Sequence, residues 1–281
     1  TKTYIITPPG GGSSGAGFFT FPLGIASDGT WLYIVSRDTN RLRRTSFSVV
    51  LNGTDWTAIS GLPATLNSPR CSVYYNNIVY VSDYNNRRII SFNATNPGST
   101  GNVFHAISDD PVAVNPRGVS TDGTSLYVAG NIAGNPDKLY KIRLSDGALD
   151  TTFGTSGRID IPENSFFVLY DSNELYVTSD ASNVVSRYSS LTGASTGNIT
   201  VTTATDSLAG IFIKSGYLYV STSGGAGVGT RMVIKKNLGT LAEASYSPAG
   251  AGNTLRGLFF VNNKWYLADA SNNLIHYFDD F

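Results

Sequence analysis

The sequence predicts an all-β protein, a six-bladed β-propeller built from four-stranded antiparallel blades. The first observation behind this prediction is a pattern of apolar residue, tyrosine and apolar residue that occurs six times in 281 residues. Its tyrosines are 47, 47, 49, 43 and 47 residues apart, a period typical of repeat architectures. They are Tyr33, Tyr80, Tyr127, Tyr176, Tyr219 and Tyr266.

The second observation is a position nine residues before each tyrosine, which is small in five of the six repeats. Small residues suit the innermost strand of a blade, because these strands crowd around the propeller axis. The fourth repeat is the exception, since it has a phenylalanine there. The residues at this position are Gly24, Cys71, Gly118, Phe167, Gly210 and Gly257.

The third observation is the pattern within each repeat, where β-branched and aromatic residues alternate with polar ones between Asn/Asp/Gly/Ser clusters. In the second repeat it predicts strands near 70–75, 78–82, 87–92 and 102–107. Four antiparallel strands repeated six times close radially, which leaves few exposed sheet edges.

The ends of the chain indicate how the ring closes. The sixth repeat has predicted strands near 255–260, 264–268 and 273–278, and no fourth strand. The missing strand is predicted at the N-terminus, where residues 1–9 form a closing segment and residues 10–17 a Gly/Ser-rich tether to a single propeller domain, 18–281. Because the extended tether could span about 26–28 Å, the strand could complete its own sixth blade or that of a neighbouring subunit. Its candidate assembly residues are Thr3, Tyr4, Ile5, Ile6 and Thr7.

Several segments resemble the NHL repeat of six-bladed propellers. The resemblance implies the propeller fold, but it leaves the function open among enzymes, RNA-binding modules and protein- or ligand-binding modules. One further segment, 147–154, is similar to the delta-60 repeat of bacterial surface propellers. The NHL-like segments are 116–119 with 122–123 and 126–128, and the second-half segments 82–89 and 268–275.

Enzymes of NHL-like architecture hold metals with sets of histidines, or hold calcium with a glutamate of the first inner strand. This chain has two histidines, His105 and His276, both predicted to pack away from the axis, and its first glutamate is Glu163. The carboxylates that follow the repeated tyrosines are predicted to cap turns, one per blade, rather than to form a cluster. We therefore predict no catalytic residue, no metal site and no cofactor. Those carboxylates are Asp83, Asp180 and Asp269.

Composition narrows the possible partners. Twenty basic residues balance twenty acidic ones, and only 14% of residues are charged, which disfavours a nucleic-acid partner held by charge. The longest apolar runs are about five residues, so no membrane insertion is predicted. Low charge, few sulfur residues and many Ser, Thr and Asn favour a processed protein outside the cell or at its surface. We expect a non-enzymatic interaction or structural module that binds proteins or itself, with a small-molecule hydrolase or lyase as the alternative.

The residue before the small inner-strand position predicts a site. If this position faces the opening of the axial channel, three blades present arginine there and blade four presents Phe166 next to Phe167. Because arginine suits planar carboxylates, we predict a pocket for a small anionic ligand. The alternative is that the arginines pair with inter-blade carbonyls or aspartates and that the phenylalanines fill the core. The arginines are Arg70, Arg117 and Arg256.

Overall fold

The structure, a computed structural model, confirms the predicted fold class. It describes residues 3–6, 20–47, 57–58, 66–96, 101–107, 113–134, 136–204, 207–223, 231–248, 251–252 and 254–281. These residues form six four-stranded antiparallel sheets that are arranged as the blades of a propeller.

Each blade is a meander whose first strand lies innermost. In blade 2 the predicted strands agree with the observed ones to within one residue at each end. The strands of blade 1 are β2 (Pro22–Ser27), β3 (Trp31–Ser36), β4 (Arg41–Ser46) and β5 (Thr57–Ala58). Those of blade 2 are β6 (Pro69–Tyr75), β7 (Ile78–Asp83), β8 (Arg88–Asn93) and β9 (Asn102–Ala106), and those of blade 3 are β10 (Asn115–Thr121), β11 (Ser125–Asn131), β12 (Asp137–Arg143) and β13 (Arg158–Ile161).

Blades 4 and 5 repeat this order, whereas blade 6 takes its outer strand from the N-terminus. The strands of blade 4 are β14 (Ser165–Asp171), β15 (Glu174–Ser179), β16 (Val184–Ser189) and β17 (Ser195–Thr200). Those of blade 5 are β18 (Leu208–Lys214), β19 (Tyr217–Thr222), β20 (Val233–Asn237) and β21 (Glu243–Tyr246), and those of blade 6 are β22 (Leu255–Val261), β23 (Lys264–Asp269), β24 (Leu274–Phe278) and β1 (Thr3–Ile6).

The N-terminal strand closes the ring within one chain. Strand β1 pairs antiparallel with β24, so that Thr3 lies opposite Phe278 and Ile6 opposite Ile275. The sixth blade therefore has four strands, as the sequence predicts. Thr7 and the predicted tether 10–17 lie outside the described residues.

The hub consists of the six first strands, which contact one another in a closed ring. Each of them has a β-bulge at the same place, where two residues face one residue of the second strand. The second bulge residue is the small position predicted from the repeat. A Cβ atom on Gly210 would lie 2.2 Å from the carbonyl oxygen of Arg256, and one on Gly257 would lie 2.2 Å from that of Leu23. Neighbouring backbones thus approach too closely for a side chain.

Hydroxyl groups fasten the bulges of three blades to the next blade. Ser221 Oγ accepts a hydrogen bond from the Gly210 amide (2.9 Å) and donates one to the carbonyl oxygen of Arg256 (2.6 Å). Ser82 makes the equivalent contacts, and the Thr178 hydroxyl donates to the Ala209 carbonyl oxygen (2.6 Å). Because these groups are buried, the bonds provide partners for backbone amide and carbonyl groups at the bulges and also connect adjacent blades.

The repeated tyrosines are structural, as their burial shows. Tyr33 donates its hydroxyl hydrogen bond to Asp28 (2.9 Å), and Tyr127 donates to Asp122 (2.7 Å). Burial first, and then the hydrogen bond to Asp122, raises the pKa of Tyr127 above its usual range. In these two blades the turn before the second strand therefore supplies a carboxylate for the tyrosine five residues later.

Both histidines lie in outer parts of their blades, as predicted. His105, in β9, places Nδ1 2.8 Å from the carbonyl oxygen of Gly147. His276, in β24, is fully buried with Nε2 2.9 Å from Asp269 Oδ2. Among the described residues, no helix has the length and apolar character needed to cross a membrane.

Candidate functional site

Near one end of the axis, side chains from blades 2 to 6 contact one another in a cluster that we call the axial mouth. By its place in the repeat, the cluster comprises two residues from each blade, namely the first residue of the bulge and the residue four positions after the repeated tyrosine. The first set is Leu23, Arg70, Arg117, Phe166, Ala209 and Arg256, and the second is Arg37, Tyr84, Asn131, Asp180, Ser223 and Ala270. The sequence predicted the first set as a possible channel opening, but not the second.

Arg256 is held by two partners from blade 4. Its guanidinium forms an ion pair with Asp180 at 2.5 Å and lies 4.5 Å from the centre of the Phe166 ring. Ser223 Oγ donates a hydrogen bond to the same carboxylate oxygen at 2.9 Å. Burial lowers the pKa of Arg256, and the Asp180 carboxylate opposes that shift. This arginine matches the alternative interpretation, in which an aspartate neutralises it.

Asp180 corrects one of the sequence predictions. Asp83 and Asp269 lie three residues after their tyrosines, are fully buried, and bind turn amides of Asn67 and Gly252, so they do cap turns. Asp180 lies four residues after its tyrosine. It is therefore not equivalent to the other two, and its side chain faces the mouth instead of a turn.

The described residues bind only some of the hydrogen-bond donors of Arg117. Its Nη1 donates to the carbonyl oxygen of Ser165 at 3.2 Å, which is the inter-blade carbonyl contact that the alternative interpretation expected. The guanidinium lies 5.4 Å from the Phe166 ring centre and 5.9 Å from that of Tyr84. Its Nε is buried and has no hydrogen-bond partner within the described residues.

Arg70 differs from both neighbours. In the part of the chain that the structure describes, it has neither a hydrogen bond nor an ion pair, and its guanidinium stacks on the Tyr84 ring at 4.3 Å. Burial lowers the pKa of Arg70 to about 10, and the charges of Arg37, Arg117 and Arg256 act in the same direction. It is thus still charged at neutral pH, partly desolvated and without a counter-ion.

The charges of the mouth do not balance. It contains four guanidinium groups, of which Arg37 pairs with Asp38 and Arg256 with Asp180. Neither Arg70 nor Arg117 forms an ion pair among the described residues, although the charges of Arg117 and the buried Asp137 interact, and both guanidinium groups approach the Tyr84 ring. The Tyr84 hydroxyl is fixed by a hydrogen bond to Asn131 Oδ1 (3.2 Å), so the aromatic platform is held in place. The arrangement can accept a planar anion between two guanidinium groups.

The two candidate phenylalanines lie in different parts of the hub. Phe166 is buried and its ring lies near the guanidinium groups of Arg117 and Arg256, and its role in binding a ligand stays a prediction. Phe167 lies below it, with ring centres 5.1 Å apart, and lines an apolar chamber of about 110 Å³ in the axial channel together with Cys71, Val119 and Leu258. Phe167 therefore fills the channel beneath the mouth and does not line the opening.

Among the described residues, no three His, Cys, Asp or Glu side chains are arranged so that they could hold a metal ion. The carboxylates that surround the hub are used by turn amides, arginines or tyrosine hydroxyls.

The residues that the sequence analysis missed are Tyr84, Asn131 and Asp180. Each lies four residues after a repeated tyrosine, so the repeat itself marks them as equivalent positions. Counted backwards from the tyrosine, a fixed offset leads to the inner strand, and counted forwards another fixed offset leads to these residues. The second strand ends beside the axis as well, and the residue that follows it reaches the same opening.

Comparison with known proteins identifies the fold. No protein-family model matches the sequence, and no curated relative matches it. The structure resembles a nidogen/laminin complex (TM-score 0.65, 17% identity, 89% of this chain and 85% of that chain covered). It also resembles a catalytically inactive virginiamycin B lyase from Staphylococcus aureus with quinupristin (0.67, 14%, 100% and 99%), and the PQQ-bound aldose sugar dehydrogenase from Streptomyces coelicolor (0.65, 13%, 98% and 97%).

These similarities establish a six-bladed propeller, a class that contains both protein-binding and enzymatic members. At such low identity they show the fold alone. The NHL-like identity of the repeats stays a prediction.

Proposed function

We propose that this protein is a non-enzymatic binding module that accepts an anionic group, in the first instance a carboxylate, at the axial mouth. The observation that carries the proposal is Arg70, a partly desolvated guanidinium with no hydrogen bond or ion pair among the described residues. Leaving such a charge unpaired is costly, and a bound anion would repay that cost. Proteins break local rules of this kind chiefly at functional sites.

The geometry favours a carboxylate over a single-point anion. Arg70 and Arg117 come from adjacent blades and approach the same Tyr84 ring, at 4.3 and 5.9 Å. A guanidinium presents parallel N–H donors that match the two oxygens of a carboxylate. The half-buried Tyr84 provides a flat apolar surface beside the charges, which suits the organic part of a ligand such as an acidic side chain or a chain terminus.

The test is isothermal titration calorimetry with citrate, succinate, inorganic phosphate and an oligoglutamate peptide as probes. We expect one or more of the carboxylates to bind, and Arg70→Gln and Arg117→Gln each to weaken that binding at least about tenfold, because each removes a charge-assisted hydrogen-bond donor. Arg41→Gln, which removes an exposed arginine of β4, is the matched control and should bind as the wild type does. Failure of all four probes to bind, or equal binding by all variants, would contradict the proposal.

The same experiment separates binding from the enzymatic alternative. The alternative is a small-molecule hydrolase or lyase with its site at the mouth, since the structural neighbours include a lyase and a dehydrogenase. A bound probe recovered chemically unchanged supports a binding module, whereas a probe that is consumed supports the enzyme.

Location outside the cell, and assembly through the N-terminal strand, are further parts of the proposal. The low content of charged residues, 14%, and the abundance of Ser, Thr and Asn support an extracellular setting. The four-residue pairing between β1 and β24 supports a strand that could also be exchanged between subunits.

A further inference from the structure

A second candidate site lies on the opposite face, between blades 2 and 3, and it is independent of the axial mouth. The blade 2–3 groove is an open cavity of about 650 Å³, which is within the usual range for small-molecule sites. Tyr75, at the end of β6, is 40% exposed and forms one wall. Polar and aromatic side chains from both blades line the rest, chiefly Asn76, Tyr80, Lys141, Arg143 and Asp150.

At the groove, blade 2 differs from blades 1 and 3 in one position of the repeat. Five residues before the repeated tyrosine, blades 1 and 3 have Asp28 and Asp122, which accept that tyrosine's hydrogen bond. Blade 2 has Tyr75 at this position. Consequently Tyr80, which is only 4% exposed and lines the groove, has no hydrogen-bond partner for its hydroxyl within the described residues.

The substituted Tyr75 is held as a platform over the neighbouring blade. Its ring rests on the turn at Gly123, where an added Cβ would lie 2.9 Å from the Tyr75 hydroxyl oxygen. Gly123 also has a φ of 87°, a backbone conformation that favours glycine. Tyr80 is supported from the other side by Phe104, with ring centres 4.9 Å apart in an edge-on arrangement. Two aromatic groups therefore line the groove in fixed positions.

The charges of the groove are compensated internally, in contrast to those of the mouth. Lys141 Nζ lies 3.2 Å from Asp150 Oδ2, and Arg143 lies 2.9 Å from Asp146. An ionic ligand would have to displace one of these pairs. The groove instead offers hydroxyl, amide and carboxylate groups that can exchange hydrogen bonds with a neutral ligand rich in donors and acceptors.

We propose that the blade 2–3 groove binds a neutral carbohydrate. A sugar ring has an apolar C–H face that can pack on the exposed Tyr75 ring, and hydroxyls that both donate and accept hydrogen bonds. A sugar hydroxyl would accept the hydrogen bond that the Tyr80 hydroxyl does not make within the protein. A peptide fits less well, because the lining has few apolar pockets for side chains and its charges are already paired.

The experiment uses the full chain on an array of neutral oligosaccharides built from glucose, galactose, mannose and N-acetylglucosamine, with acidic oligosaccharides that contain uronic acids beside them. Calorimetry with the best-retained sugar follows. We expect a neutral oligosaccharide to be retained. Tyr75→Ala should weaken its binding at least about tenfold through loss of the stacking surface. Tyr80→Phe, which removes one unpaired hydroxyl, should weaken binding several-fold and leave the melting temperature unchanged.

Tyr33→Phe is the matched control, since it removes the equivalent hydroxyl in blade 1, where Asp28 accepts its hydrogen bond. It should lower the melting temperature and leave sugar binding unchanged. The proposal is overturned if no neutral oligosaccharide is retained, if only acidic glycans are retained and Arg117→Gln abolishes their binding, or if Tyr75→Ala binds as the wild type does. Retention of a peptide but of no sugar would also overturn it.

Discussion

The wall of the hub and the axial mouth are formed by adjacent residues of the same six bulges. In the wall, which is the second bulge residue of each blade, four of the six positions are glycine, because neighbouring backbones leave no room there for a Cβ atom. In the mouth, one residue earlier, the six positions are occupied by leucine, alanine, phenylalanine and three arginines. The two regions differ in what constrains them, although they are one residue apart.

The difference separates residues that stabilise the fold from those that we propose to bind a ligand. The wall is regular, close-packed and hydrogen-bonded, so its residues stabilise the ring. The mouth is irregular and includes Arg70, a charge that the described part of the protein does not neutralise. We expect changes in the wall to cost stability, and changes in the mouth to alter binding without that cost.

The largest expected effect is in the wall. Gly210→Ala would place a methyl group 2.2 Å from the Arg256 carbonyl oxygen, so two blades would have to separate. We predict a loss of about 3 kcal/mol in the free energy of unfolding, measured by urea denaturation. Gly239→Ala is the control, since its nearest contact would be a side-chain oxygen at 3.4 Å, and should change stability by less than about 0.5 kcal/mol. Equal effects of the two substitutions would remove the distinction between wall and surface.

The second-largest effect on stability is expected when the strand that closes the ring is removed. Deletion of residues 1–9 removes the outer strand of blade 6 and exposes the edge of β24. We predict a folded protein that is less stable by about 2–3 kcal/mol, from the loss of a few backbone hydrogen bonds. Anion binding should be retained, because the lost strand lies at the rim.

Light scattering on the same deletion variant tests the donor-strand hypothesis. If β1 is exchanged between subunits, as proposed, the wild type should be an oligomer that the deletion dissolves into monomers. A wild type that is itself a monomer would contradict this part of the proposal and would mean that β1 pairs only with β24 of its own chain.

A smaller effect is expected for the hydroxyl links between blades. Ser221→Ala leaves the Gly210 amide and the Arg256 carbonyl oxygen without their shared partner. We predict a loss of about 1–2 kcal/mol in thermal or urea unfolding, with anion binding intact. Ser195→Ala, on exposed strand β17, is the control. A large loss of binding in Ser221→Ala would mean that wall and mouth are coupled.

Much of the fold could be predicted because it depends on local rules repeated six times. The tyrosine spacing gave the number of blades, and the strand near 255–260 was observed at Leu255–Val261. The missing fourth strand of blade 6 likewise predicted the role of the N-terminal segment. Each of these inferences relied on patterns that recur at a fixed distance along the chain.

The site was less predictable because it depends on contacts between blades. The repeat could assign Arg70 and Arg256 to equivalent positions, but not that Asp180, two blades away, would neutralise only Arg256. A shift of one residue moved Asp180 from a turn to the mouth, whereas Asp83 and Asp269 stayed in turns. Phe167 follows Phe166 in the sequence but lines the chamber in the axial channel, and its role in binding a ligand stays a prediction.

The most direct test of the central claim compares two arginines of blade 2 by urea unfolding without any ligand. Arg88 forms an ion pair with the fully buried Asp83 at 2.7 Å, and Arg88→Met should cost about 3 kcal/mol or more because it leaves that carboxylate without its cation. Arg70→Met keeps an unbranched stem on Tyr84 and removes an uncompensated charge, so it should raise the free energy of unfolding by about 1 kcal/mol. A loss of stability in Arg70→Met comparable to that in Arg88→Met would show that Arg70 supports the fold, and would contradict the assignment of the mouth to a ligand.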